Sequence, residues 1–119
     1  MKILAVELSD EECANILTTA IESGHDGIGY WLDQEEECQI TRDLNGNIFW
    51  AHLYAEMEDD KKHPYTVTFL TIRDGMSRAL APGCQIRPDI IKNVLDDNCD
   101  AEGADCIVQL GLFGEIVFS

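Results

Sequence analysis

Three residue types in this chain could carry chemistry: thiols at Cys13, Cys38, Cys84, Cys99 and Cys106, imidazoles at His25, His52 and His63, and a large stock of carboxylates. A thiol beside a His–Asp pair could act as a nucleophile, the imidazole taking the proton and the carboxylate orienting the ring. Local spacing offers no such set. Cys13, Cys38 and Cys106 fall in apolar patterns that read as buried thiols, and Cys84 follows Pro82-Gly83 with no base beside it. The histidines are too dispersed to declare a metal site. An odd number of cysteines without a C-x-x-C pair disfavours a disulfide framework and structural zinc alike. Asp96, Asn98 and Asp100 match positions one, three and five of a calcium loop, yet position six is Ala101 where glycine is needed and position twelve is Ile107 where glutamate is needed. The G-x-x-G-x-G run from Gly24 to Gly29 has the wrong spacing for a dinucleotide loop and follows a helix. Serine elbows, phosphate loops and H-E-x-x-H are missing from the sequence. The reading is a protein that is not an enzyme, with no catalytic residues, no metal site and no cofactor.

The carboxylates remain. Acidic residues number 23 against 8 basic ones, a formal net charge of -15 over 119 residues. Such a surface repels nucleic acid and anionic membrane and favours encounter with basic partners. Asp33, Glu35 and Glu37 read as alternating along one strand face, as do Glu56, Glu58 and Asp60, which would set like-facing acids ~6.8 Å apart. Asp10, Glu11 and Glu12 have a plainer role, complementing a helix dipole.

The elements that must position these groups can be read in turn. A hydrophobic fraction of 45% at this length fits one α+β domain spanning residues 1–119. Residues 2–8 suggest a short strand. Ser9 and Glu12 make a capping box ahead of Cys13, Ile16, Leu17, Ala20 and Ile21 at helical spacing, with Gly24 as the stop. Strands are expected over 28–32, 37–42, 48–57 and 65–70, with Asn45-Gly46 turning a hairpin. The strand over 48–57 is apolar on both faces and therefore central, with Ile48, Trp50, His52 and Tyr54 on one side and Phe49, Ala51, Leu53 and Ala55 on the other. Short connections make the sheet an antiparallel meander of three or four strands. Thr71 and Asp74 then suggest a capping box for a second helix, Pro88 opens a third, and Asp100 caps a fourth whose face is Ala104, Ile107, Val108, Gly111 and Leu112. Gly114 ends it, and Ile116-Val117-Phe118 is too apolar to hang free. The order is α-β-β-β-(β)-α-α-α, helices on one sheet face. The start of the chain has no signal-length apolar run, and no stretch of about 18 apolar residues exists to span a membrane, so the expected location is cytoplasmic.

Two stretches carry a resemblance. Gly27-Ile28-Gly29-Tyr30-Trp31 after the first helix, and A-D-C-I-V-Q-L-G-L-F-G-E-I-V-F from Ala104 to Phe118, resemble a family of small uncharacterised proteins of bacteriophages and other mobile elements. That family has no established activity, so the resemblance transfers no functional residue. It implies genetic context. Joined to the acidic charge, it suggests an inhibitory binding protein that occupies the basic nucleic-acid-binding surface of a host defence complex, CRISPR or restriction. It would bind neither nucleic acid nor membrane directly. The residues expected to meet the partner are Asp33, Glu35, Glu36, Glu37, Glu56, Glu58, Asp59 and Asp60, with Tyr30 and Trp31 as exposed aromatics. The alternative is a structural accessory protein that forms a homodimer through aromatics such as Trp31, Trp50 or Phe118.

Overall fold

A computed structural model describes residues 8–33, 35–83, 86–96 and 99–118. It shows an α+β fold in the expected order, four helices and a three-stranded antiparallel sheet: α1 (Asp10–Glu22), β1 (Gln39–Arg42), β2 (Ile48–Glu56), β3 (Lys62–Val67), α2 (Phe69–Ala79), α3 (Pro88–Leu95) and α4 (Ala101–Phe113). The strand expected over 2–8 lies outside the described residues, apart from its buried last member, Leu8.

Local chemistry sets the helix ends. The Ser9 N–H donates to Glu12 Oε1 (3.0 Å) and the Glu12 N–H to Ser9 Oγ (3.1 Å), satisfying two of the donors that the first turn of α1 leaves free. Asp100 Oδ1 accepts the Gly103 N–H at 2.8 Å to start α4, and Gly114 stops that helix in a left-handed conformation (φ 77°). One helix start differs from the sequence reading. α2 begins at Phe69, not at Thr71, because Thr71 Oγ1 accepts the Thr68 N–H at 3.1 Å and so closes the first turn three residues early. The last strand accordingly ends at Val67 instead of Leu70 and extends backward through Pro64, which an edge strand tolerates.

β2 is central, as its two apolar faces imply, flanked by β1 and β3. Its alternation slips once. Thr41 pairs with Trp50 but Arg42 pairs with Ile48, so Phe49 is an extra residue, a bulge. Ile48 is consequently buried and Phe49 exposed, the reverse of the expected phase, while Ala51, Leu53 and Ala55 face the core and Trp50, His52 and Tyr54 form the half-buried outer row. α4 is the hub of the helical layer. Gly75 of α2 and Gly111 of α4 let the two backbones touch: a Cβ on Gly75 would overlap the Ile107 carbonyl, and one on Gly111 the Thr71 carbonyl.

The strand expected over 28–32 does not form. Ile28–Tyr30 is a 3-10 turn, and only Leu32 makes a β bridge, to Ala55. The glycines explain this, since a side chain on Gly27 would strike the Ala20 carbonyl and one on Gly29 the Gly24 backbone. The chain wraps tightly around the end of α1 before reaching the sheet. At Ala55 the other edge of β2 is taken by His63 of β3, so Leu32 bridges on the side where β1 has not yet begun.

Candidate binding site

The Leu32 bridge fixes where the acids go. The Asp33 N–H donates to the Tyr54 carbonyl (2.9 Å), pinning the chain beside the end of β2. Asp33 Oδ1 then accepts from the Glu35 N–H (2.7 Å) and the Glu36 N–H (3.2 Å), a turn that side-chain acceptors make readily. This corrects the expected alternation of Asp33, Glu35 and Glu37: these residues precede β1 and occupy a turn, because the Asp33 side chain competes for the backbone donors a strand would need. Asp33 itself is only 5% exposed at its side chain, while Glu35, Glu36 and Glu37 are exposed. Glu56, Glu58 and Asp60 do not alternate either. β2 ends at Glu56, and the Met57 N–H donates to the Lys61 carbonyl (3.1 Å) and the Asp60 N–H to the Met57 carbonyl (2.9 Å), closing a turn that exposes Glu58, Asp59 and Asp60.

Lys62 draws the two segments together. It stands opposite Glu56 in the β2–β3 register, and its Nζ lies 2.9 Å from Glu35, 3.6 Å from Asp33 and 3.8 Å from Glu36. The Glu35 hydrogen bond is the main cause holding its ammonium above the ordinary lysine range. From β3, His63 Nε2 lies 2.9 Å from Asp59 Oδ2 on the adjoining turn, and this hydrogen bond holds Asp59 below the usual carboxylate range. The structure therefore gathers Asp33, Glu35 and Glu36 around one lysine, with Glu56 across from it on β2. Glu58, Asp59 and Asp60 sit on the neighbouring turn, and Glu37 stays apart in the connection to β1.

The aromatics behave differently from the sequence reading. Tyr30 is 39% exposed, but Trp31 is buried at 6%. Its ring stacks parallel on Phe118 (centroids 5.1 Å) and meets Phe113 edge-on (5.7 Å). Trp31 is therefore core and cannot act as an exposed hot spot, because the apolar C-terminal tail folds over it. Beneath lies a polar cluster that the sequence reading missed. Asp105, 7% exposed, accepts from Trp31 Nε1 (2.7 Å), the Tyr30 hydroxyl (2.8 Å) and Gln109 Nε2 (2.9 Å). Gln109 Oε1 accepts the N–H groups of Val117 (2.9 Å) and Phe118 (2.8 Å), and its Nε2 lies 3.1 Å from the Phe118 carbonyl. Among the described residues no buried side-chain nitrogen or oxygen lacks a partner. Burial, and then the Asp105 hydrogen bond, push the Tyr30 hydroxyl up to about 12. A signal was present in the sequence: Asp105 and Gln109 are spaced i, i+4 within an otherwise apolar helix, so they share a face and must find partners if that face is covered. Through this cluster the Gly27–Trp31 stretch and the C-terminal stretch form one bonded unit.

A groove of about 650 Å³ runs between the two regions. Tyr30, Trp31 and Phe118, with Leu32 and Val117, make its aromatic and apolar wall; Asp33, Glu35, Glu56 and Lys62 make its polar wall. Five of the ten residues expected at the partner surface thus line one cavity. The thiols lie elsewhere: Cys13 is buried beneath Phe69, and burial, then the Asp100 charge, push the half-buried Cys99 up to about 12. Burial raises Cys13 and Cys38 as well, which disfavours their thiolates. Cys84 lies outside the described residues, as does Asn98 of the calcium-like run. Among the described residues no three His, Cys, Asp or Glu side chains are grouped to hold a metal ion, and no helix is long and apolar enough to cross a membrane. Comparison with known protein families, with curated proteins and with solved structures gives no match.

Proposed function

We propose that this chain is an acidic binding protein that docks the end of its sheet against the basic nucleic-acid-binding surface of a host complex, as an anti-defence inhibitor of a phage or other mobile element working in the host cytoplasm. The observation that carries this reading is the convergence of Asp33, Glu35 and Glu36 on a single Lys62, with Glu56 opposite it in the strand register and Glu58, Asp59 and Asp60 on the adjoining turn. Seven carboxylates on these two segments against Lys61 and Lys62 leave a strong excess of negative charge, and a carboxylate surface of this kind offers basic side chains what a phosphate backbone offers them. The anti-defence assignment draws on the resemblance to mobile-element proteins.

The test is competition. A CRISPR or restriction complex inhibited by this protein should bind either DNA or the protein, not both, and the complex should weaken steeply as salt rises. Neutralising Glu58, Asp59 and Asp60 together should slow association more than it speeds release, because long-range attraction acts on encounter. Simultaneous binding of DNA and this protein, or salt-insensitive affinity, would sink the proposal.

One observation favours the alternative of a homodimer. The outer sheet face carries Trp50, His52 and Tyr54 in ring contact (6.2 and 5.3 Å), beside Gln39, Thr41, Pro64 and Thr66, and is uncharged until its last row, Glu56 and Lys62. In a chain of net charge -15 this is a face on which two copies repel little. Sedimentation at micromolar concentration decides: a strict monomer removes the homodimer reading.

A further inference from the structure

We infer that the groove between the aromatic tail and the acidic turn is an anchoring pocket for one arginine side chain of the basic partner; the inference rests on the docking reading above and names the contact at its centre. The acids alone would make a solvated patch. What makes a pocket of them is the opposite wall, where Tyr30, Trp31 and Phe118 border the same 650 Å³ space as Asp33, Glu35 and Glu56. That wall is rigid, because Trp31 is fixed through Nε1 to Asp105 and stacked on Phe118, whose backbone N–H and carbonyl both bond to Gln109. A preformed wall spares the ordering cost that binding otherwise carries.

The chemistry of the two walls selects the ligand. A phosphate or carboxylate would be repelled by the acids, and an apolar group would strip water from Glu35 and Glu56 with nothing in exchange. Guanidinium satisfies both sides: its plane stacks on aromatic rings, it is weakly hydrated, and its fork of N–H donors matches a carboxylate. An ammonium matches the acids but is a compact, strongly hydrated charge that gains less from the aromatic wall. The site already gathers carboxylates on a cationic head, since Lys62 Nζ lies within 3.8 Å of three of them. Lys62 supplies one positive charge against Asp33, Glu35, Glu36 and Glu56, so charge remains for a second cation.

Two end-capped peptides, hexa-arginine and hexa-lysine, titrated into the purified protein at constant ionic strength and followed by amide and indole resonances, test this without any host partner. Hexa-arginine should bind roughly two- to fivefold more tightly than hexa-lysine, the worth of an exposed cation–π contact. Its shifts should concentrate at Tyr30, the Trp31 indole, Glu35, Glu56 and Phe118. Glu56→Gln should weaken hexa-arginine binding about threefold, whereas Asp89→Asn, the same charge change on α3, should leave it nearly unaltered. Lys62→Met should tighten hexa-arginine binding by removing the resident ammonium. Equal affinity for the two peptides with shifts scattered over every acidic segment, or Glu56→Gln behaving like Asp89→Asn, overturns the pocket and leaves the docking reading standing. A groove that binds hexa-arginine selectively, in a protein that does not compete with DNA for its partner, keeps the pocket and removes the docking reading.

Discussion

Asp105 and Asp33 are the same side chain, both largely covered, one beneath the groove's aromatic wall and the other in its polar wall, and they do opposite things. Asp105 is buried on α4 and takes hydrogen bonds from Tyr30 and Trp31, brought from a distant stretch of chain, and from Gln109 one turn along its own helix. Asp33 takes two backbone N–H groups from its own turn and stands beside a lysine that it shares with two exposed glutamates. The first carboxylate closes a core, because the buried Trp31 indole N–H it satisfies would otherwise be stranded away from water. The second shapes a turn whose neighbours reach outward. Where an acid's donors come from, long range or local, separates the charges that build this protein from those it presents.

The largest effect that would sharpen this contrast is the loss of Asp105. Asp105→Ala should destabilise the fold by about 2 kcal/mol or more, since it leaves the buried Trp31 indole N–H without its acceptor and takes one of several acceptors from the Gln109 amide. That is a large share of a domain stability on the order of 5–15 kcal/mol. Urea unfolding followed by tryptophan fluorescence measures it directly. A cost under about 1 kcal/mol, the level of an ordinary surface change, would mean that the cluster does not close the core.

A smaller, pH-dependent effect belongs to Tyr30. Its folded pKa, about 12, stands above the ordinary tyrosine value of 10.0. The neutral hydroxyl is therefore favoured in the folded state, and its contribution is fully present below about pH 10 and is lost as pH rises through 12. Cys99 and Tyr65 are raised too and act in the same direction. Tyr30→Phe should therefore flatten, without abolishing, the fall in urea midpoint between about pH 10 and 12, a drop readable in paired unfolding curves. An unchanged slope would detach Tyr30 from Asp105.

How legible these two regions were follows from the same local and long-range distinction. The capping residues Ser9, Glu12 and Asp100, the stop at Gly114 and the central place of β2 all follow from patterns within a few residues, and the sequence announces them. The Phe49 bulge, the early start of α2 at Phe69 and the 3-10 turn at Ile28–Tyr30 do not, because each is decided by what packs or bonds nearby in space: Thr41 across the sheet, Thr71 in place of Asp74, the end of α1 against Gly27 and Gly29. The acids fall near strand ends, but their arrangement on turns is not legible, since an alternating pattern of acids cannot be told from an Asx turn without knowing where Asp33 Oδ1 points. Trp31 was read as exposed because nothing local shows that residues 116–118 return to cover it.

The smallest effect concerns the exposed acids themselves, and it can break the comparison most cleanly. Glu35→Gln with Glu36→Gln removes two partners of Lys62, and exposed pairs of this kind are worth about 0–1 kcal/mol. Against that loss stands relief of repulsion in a chain of net charge -15, where two carboxylates removed from a crowded turn lower the self-energy of the folded state. The two effects oppose each other, so the double variant should unfold within about 0.5 kcal/mol of the parent. The balance should also move with salt: screening weakens pair and repulsion alike, bringing the two unfolding curves closer together at high ionic strength. If the double variant instead loses as much as Asp105→Ala, the acidic turn is part of the structural closure and the division between buried and presented carboxylates fails. If stability holds while affinity for the basic partner falls, the acids are there for what they meet.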